Sequence, residues 1–241
     1  TGEFDWVGVV EQRDLPVVVD PPRGFIVCAN HRWVPDSHPE YLGRVWRDGF
    51  RARVIEEELA AQQRVTVANT MKLQLCTRSA AAADFVEVIL GLTLSSEDAR
   101  AVQAMLRGWD ARMDPSSSAA AVYSVAHQAL AALLAAGGVR RGLGRPVVAA
   151  DDSNAEGWEA MLDPAKVGVD HDPFHAMVHM MTGGPILPGL FGVSECNGKV
   201  YSTVLRVLRD PSHPWWTYGP GGTRESVVDH ALQRALRWLR R

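Results

Sequence analysis

The strongest constraint on the fold is the alanine-rich run AAAVYSVAHQALAALLAA, which occupies residues 119–136. Alanine and leucine are among the side chains that most favour an α-helix, and the run contains neither glycine nor proline. The serines at 116–118 are typical of a helix start, and Gly137 and Gly138 are typical of a helix end. The run therefore predicts one long helix within a helical layer.

Capping residues and apolar periodicity predict further helices on both sides of this run. A capping box from Ser37 to Glu40 opens the first helix, and Gly49 interrupts it. Thr66, Ser96 and Thr223 precede the others. The predicted spans are 37–63, 66–90, 96–107 and 223–239.

Extended segments come before the helices, and irregular chain follows the long one. PVVV at 16–19 and FIVCA at 25–29 flank the turn signal DPPRG, and this arrangement predicts a strand pair. Frequent glycine and proline predict loops over 137–157 and 182–222. Inside the second loop region, SECNGKVYSTVLRV predicts an Asn-Gly turn that leads into an edge strand.

The chain is expected to be a single partial domain over residues 1–241. Its sheet portion is predicted at 1–35 and its helical portion at 36–136. An irregular excursion and a terminal helix are predicted for 137–241.

Charge and hydropathy restrict the class of partner. The formal net charge is −3, so no broad electrostatic attraction for nucleic acid is expected. No run reaches the roughly 18 apolar residues that a membrane-spanning helix needs. Neither nucleic acid nor a membrane is therefore an expected partner, and a small molecule or a protein is.

Motifs in the first half of the chain occur in the order found in one enzyme family. Trp6 and Gly8 form W-x-G, LP and PRGFI follow, and the strand end Ala29-Asn30 leads to the helical segment FRARVI at 50–55. LRGWD then precedes small residues and a helix. Together these motifs resemble the penicillin acylase (penicillin amidase) family of N-terminal-nucleophile hydrolases over most of residues 4–134.

The resemblance implies an α+β protein, as part of a four-layer αββα fold with short antiparallel strands and a helical layer. It implies hydrolysis of a linear amide by a precursor that cleaves itself, so that a new amino-terminal serine attacks the carbonyl. The expected substrate is a small-molecule amide of the β-lactam or N-acyl homoserine lactone type. The expected protein partners are an α chain and the N-terminal part of the β chain. The residues leave the compartment open, and the resemblance favours a periplasmic or secreted bacterial protein.

The resemblance also assigns site residues. Asn30 is the expected donor to the oxyanion, and Arg53 is the arginine expected to orient both the nucleophile and this asparagine. Arg51 is the alternative register of the same motif. His31 and Trp33 replace residues that are common at this strand end in the family, and both are expected to contact substrate.

The expected nucleophile is not among these residues, because the Ser-Asn start of the family's catalytic chain is absent. Thr1 is not expected to replace it, since the TGEFDW segment aligns downstream of the family's nucleophile. A non-catalytic fragment or structural homologue therefore stays open as an alternative function.

No cofactor or metal is expected. Calcium occurs in the family, but Leu42 stands where an acidic ligand would follow the turn. The other open function is a metal-dependent hydrolase that uses His171, His175 and His179, because histidines spaced i and i+4 can bind zinc. Packed histidines are the favoured interpretation of that cluster.

Overall fold

The computed structural model of the chain describes residues 6, 8–35, 37–40, 42–43, 46–142 and 193–240. The helices in these residues are α1 (Phe50–Ala60), α2 (Val67–Gln74), α3 (Ala80–Leu90), α4 (Glu97–Leu106), α5 (Ser118–Gly142), α6 (Val193–Arg209) and α7 (Arg224–Leu239). Short 3-10 turns lie at Gln12–Asp14, Pro214–Tyr218 and Pro220–Gly222. Thr1 and the predicted histidine cluster at 171, 175 and 179 lie outside the described residues.

The main core surrounds α5. Helix α7 packs along α5 and against α4, while α6 packs against both α3 and α5. Phe85, Leu130 and Leu232, from α3, α5 and α7, have no exposed surface. Each side chain of this size contributes about 1.5–3 kcal/mol when it is fully buried, so the apolar faces hold the helices together.

Local capping explains where several helices begin. The side chains of Thr66, Ser96 and Thr223 each accept a backbone N–H from the first turn of α2, α4 and α7. Such a cap stabilises a helix by about 1 kcal/mol. The predicted starts at these three residues are confirmed, as is the predicted end of α4 near Arg107.

Three predicted helix boundaries are wrong. The predicted 66–90 helix is two helices, because the segment before Ser79 pairs with another part of the chain: Ser79 donates its N–H to the Ala111 carbonyl at 2.8 Å. The predicted 37–63 helix begins only at Phe50, after Gly49. Helix α5 continues through Gly137 and Gly138 to Gly142, since two glycines cost only about 1 kcal/mol each within a long helix.

The predicted turn and edge strand at 194–207 are also wrong, because this segment lies in α6. Val204, Leu205, Val207 and Leu208 are buried at helical spacing in the main core. Burial of this face outweighs the local turn preference of Asn-Gly. The loop predicted for 182–222 is correspondingly replaced, over its described part, by a helix and two 3-10 turns.

The α+β class is not confirmed. The described residues contain two isolated β-bridges, and none of them forms a strand longer than a single bridge. One bridge joins His31 to Arg47 in parallel, and the other joins Arg78 to Arg112 in antiparallel orientation. The valines of the predicted 16–19 strand are 60–74% exposed. The division into 1–35, 36–136 and 137–241 stays a prediction.

A smaller cluster joins the N-terminal segment to α1. Val27 and Ala29 are buried against Ala52, and Phe25, Ile55 and Leu59 pack around them. This cluster fixes the end of the FIVCA segment on one face of α1. Among the described residues, no helix combines the length and the apolar character needed to cross a bilayer.

Candidate active site

Asn30 lies where the buried N-terminal segment ends. Ala29 is 5% exposed, whereas Asn30 is exposed and has a φ of 61°. This left-handed conformation is uncommon for residues other than glycine, and asparagine is one of the residues that tolerate it best. The Asn30 carbonyl accepts the N–H of Arg47 at 2.7 Å, and this bond holds the turn. The backbone thus turns away from the small cluster at Asn30, and the Asn30 carboxamide stays at the surface.

Arg51 fixes the orientation of that carboxamide. Its Nη2 donates to Oδ1 of Asn30 at 2.7 Å and to the carbonyl oxygen of Ala29 at 2.9 Å. An arginine only donates, so the carboxamide must present its oxygen to Arg51. The Nδ2 group of Asn30 then has both N–H bonds available, since it has no hydrogen-bond partner among the described residues. A carboxamide held this way can donate to a developing oxyanion.

Arg53 lies elsewhere and has different partners. Its guanidinium donates to both carboxylate oxygens of Asp84, at 2.6 and 3.2 Å, and to the carbonyl of Ala80 at 2.8 Å. Residues two apart on a helix point in nearly opposite directions, so Arg51 and Arg53 cannot both face Asn30. Of the two registers, the structure brings Arg51 to Asn30 and directs Arg53 to α3.

His31 and Trp33 lie beside Asn30 in the chain. His31 is partly buried, and its Nδ1 accepts the N–H of Ala29 at 3.4 Å. Trp33 is 52% exposed and meets Trp46 edge to face, with 6.3 Å between the ring centroids. The two side chains therefore place a partly buried imidazole and an exposed aromatic surface next to the exposed carboxamide.

Two carboxylates anchor α1 and the loop before it to the helical core. Asp84 binds Arg53 of α1 and also accepts from Arg209 of α6 at 3.1 Å. Asp48 accepts the backbone N–H of Ser202 at 3.0 Å. Sequence reasoning missed both carboxylates. Asp84 had a visible signal, because it is a single acidic residue within the apolar run AAAADFV.

Burial also changes the acidity of one group next to this anchor. Burial raises the pKa of Tyr201, and the negative charge of Asp48 raises it further. The Tyr201 phenol therefore stays protonated and neutral near neutral pH. Its ring, although the residue is 38% exposed, packs on the ring of His127, with 4.7 Å between the centroids.

The described residues contain no group of three or more histidine, cysteine, aspartate or glutamate side chains that could hold a metal ion. Glu40, the acid nearest to the expected calcium position, donates its backbone N–H to the His38 ring at 3.2 Å. The predicted zinc cluster at 171, 175 and 179 is outside the described residues.

Comparison with known proteins decides the family. A sequence model described as penicillin amidase matches residues 1–241, which is the whole chain. The chain belongs to the penicillin amidase family. Membership implies the N-terminal-nucleophile hydrolase fold.

Two curated proteins are similar to the chain. It is 33% identical over 159 residues to the penicillin acylase 2 proenzyme of Pseudomonas sp. (strain SE83), an alignment that covers 62% of this chain and 20% of that protein. It is 28% identical over 144 residues to the acyl-homoserine lactone acylase QuiP of Pseudomonas putida (strain KT2440), covering 54% of this chain and 18% of that protein. The matched part is thus about a fifth of the length of each relative.

Proposed function

We propose that this chain is a segment of an acylase that hydrolyses a linear amide, and that Asn30 donates a hydrogen bond to the oxyanion. The observation that carries the proposal is the hydrogen bond from Arg51 to Oδ1 of Asn30, which leaves Nδ2 available as a donor. Family membership supports the reaction class, and the names of both relatives contain the word acylase.

The reaction begins with attack by a nucleophilic oxygen on the amide carbonyl carbon. The carbonyl π electrons move onto the oxygen, and the resulting oxyanion accepts the N–H of Asn30 Nδ2. Collapse of this intermediate breaks the C–N bond, and the amine leaves with the proton taken from the nucleophile. Water then hydrolyses the acyl-enzyme ester. One such oxyanion donor typically contributes about 3–4 kcal/mol of transition-state stabilisation.

The nucleophile in this proposal is an amino-terminal serine located outside these residues. Its own α-amine titrates near neutral pH and can therefore accept the hydroxyl proton. Arg51 acts as a positioning residue, because it holds the carboxamide rather than the substrate. His31 and Trp33 are proposed to contact the acyl group.

The fold and partners follow from the same proposal. The exposed valines at 16–19 belong to a sheet whose other strands come from elsewhere in the protein, which gives the α+β, four-layer αββα arrangement. The partners are the α chain and the N-terminal part of the β chain, formed by processing of a precursor. We further propose, from the resemblance alone, that the protein is periplasmic or secreted and that it needs no cofactor.

An amine-release assay on the complete protein tests this function. Two substrates follow from the names of the relatives: an N-acyl homoserine lactone and a β-lactam with an amide-linked side chain. The expected result is release of equal amounts of primary amine and free acid, with a mass increase of one chain by the acyl group after rapid quenching. Processed protein that releases no amine from either class contradicts the proposal. Activity that a zinc chelator abolishes points to the metal-dependent alternative.

A further inference from the structure

Helix α2 carries an apolar stripe on its outer face. Val67 and Met71 of α2 and Leu75, the residue directly after its last turn, recur at a spacing of four residues and are 79%, 59% and 80% exposed. Residues at this spacing share one face of a helix. Asn69 and Leu73, on the opposite side, are partly buried. The stripe, defined as Val67, Met71 and Leu75, therefore points away from the described core.

Within the part of the chain that the structure describes, helix α2 lacks the contacts that normally hold a short helix in place. It is eight residues long and buries none of them. Isolated helices shorter than about 12–15 residues are only marginally formed in water. The Thr66 cap adds about 1 kcal/mol, which does not replace tertiary packing. A contiguous apolar surface on such a helix is typical of an interface.

The charges around the stripe indicate the chemistry of what covers it. The segment 61–76 contains Arg64 and Lys72, both exposed, and has no acidic residue. A complementary surface is an apolar groove with carboxylates at its rim. The matched region is only 20% of the penicillin acylase 2 proenzyme, so most of such a precursor is available to supply this groove.

We infer that the stripe of α2 docks into an apolar, acid-rimmed groove on another part of the same precursor. The inference rests on the proposed function, because it takes the chain to be a segment of a processed amidohydrolase precursor. It goes further by naming the surface through which this segment binds the rest. Docking also provides the packing that α2 lacks.

Photo-crosslinking in the complete protein tests the inference. A photo-crosslinking amino acid is placed at Met71 in one preparation and at Thr70, an exposed polar neighbour, in the control. The expected product from position 71 is a crosslink to a peptide outside these 241 residues, which is lost when the probe is at position 70. A crosslink to a peptide within residues 1–241 overturns the inference, whether in the same copy or in an isotope-labelled second copy. Absence of any crosslink at position 71 also overturns it.

Hydrogen exchange gives a second measurement that does not depend on the probe. In the complete protein the amides of 67–75 are expected to be protected. Met71→Asp should remove this protection, while Thr70→Asp should keep it, because only the first substitution puts a charge in the docked face. Equal protection in both variants contradicts docking. Amine release from the same preparations separates the two proposals: a crosslink without hydrolysis refutes the function alone, and hydrolysis without a crosslink refutes the docking alone.

Discussion

His127 lies in the main core, and its burial predicts that the stability of the fold is sensitive to acid. Its side chain is 4% exposed and packs against the rings of Phe85, Tyr123 and Tyr201, with centroid distances of 5.6, 5.8 and 4.7 Å. Its Nε2 has no hydrogen-bond partner among the described residues. Burial disfavours the charged imidazolium and lowers the pKa of His127 from 6.5 to about 4.

The size of the effect follows from the two pKa values. In the unfolded chain His127 binds a proton near pH 6.5, whereas in the folded protein it does so only near pH 4. Between these values the unfolded state binds more protons, so the free energy of unfolding falls as the pH falls. The loss is about 2 kcal/mol by pH 5 and about 3 kcal/mol by pH 4, and it is absent above pH 7.5.

Urea denaturation at several pH values measures this loss. The matched variant is His127→Phe, which keeps a ring among aromatic neighbours and cannot bind a proton. Between about pH 7.5 and pH 5 the wild type should lose about 2 kcal/mol more than the variant. If the two stabilities fall in parallel over this range, His127 is not the buried neutral group described here.

Three further predictions concern contacts that position or stabilise the site and the core. Arg51→Lys should reduce amide turnover and leave the free energy of unfolding within about 0.5 kcal/mol of the wild type. Arg53→Ala should lower the free energy of unfolding by about 1.5–3 kcal/mol, because it removes hydrogen bonds to the Asp84 carboxylate. Steady-state kinetics and urea titration of both variants measure these two effects. Lost turnover in the Arg53 variant, with normal turnover in the Arg51 variant, would favour the Arg53 register. Asp229→Ala should cost about 1–3 kcal/mol, because Asp229 accepts the N–H groups of Ser95 and Ser96 at 2.9 and 3.0 Å; an unchanged thermal midpoint would refute that role. Gly219→Ala should lower the free energy of unfolding by about 1–3 kcal/mol, because the added Cβ would lie 2.4 Å from a Val227 methyl. Gly91→Ala is the control and should lower it less, because its added Cβ would meet no atom closer than 3.5 Å. Equal thermal midpoints of these two variants would contradict the prediction.

Local signals account for the parts of the fold that could be predicted. Ser96 and Thr223 precede α4 and α7 and cap them through their own side chains, so a few neighbouring residues determine both starts. Helix α6 depends instead on burial of Val204 and Leu208 against other helices, which the Asn-Gly signal nearby does not reveal. The segment around Ser79 likewise depends on pairing with residues far along the chain.

The candidate site could be predicted only as far as its motifs reach. The family resemblance implies that the asparagine at the strand end is oriented by an arginine of the FRARVI segment, but that segment contains two arginines, Arg51 and Arg53. The choice depends on which face of α1 packs on Ala29, and this face is set by burial of Ala52 in the small cluster. That is a tertiary contact, and no local pattern in the helix encodes it.

The central claim is that Asn30 donates to the oxyanion of an amide hydrolysis. The direct measurement is the turnover number of Asn30→Ala in the complete, processed protein, with thermal unfolding measured alongside. The claim predicts that turnover falls by a factor of about 10² to 10³ with little change in stability. Turnover equal to that of the wild type would contradict it.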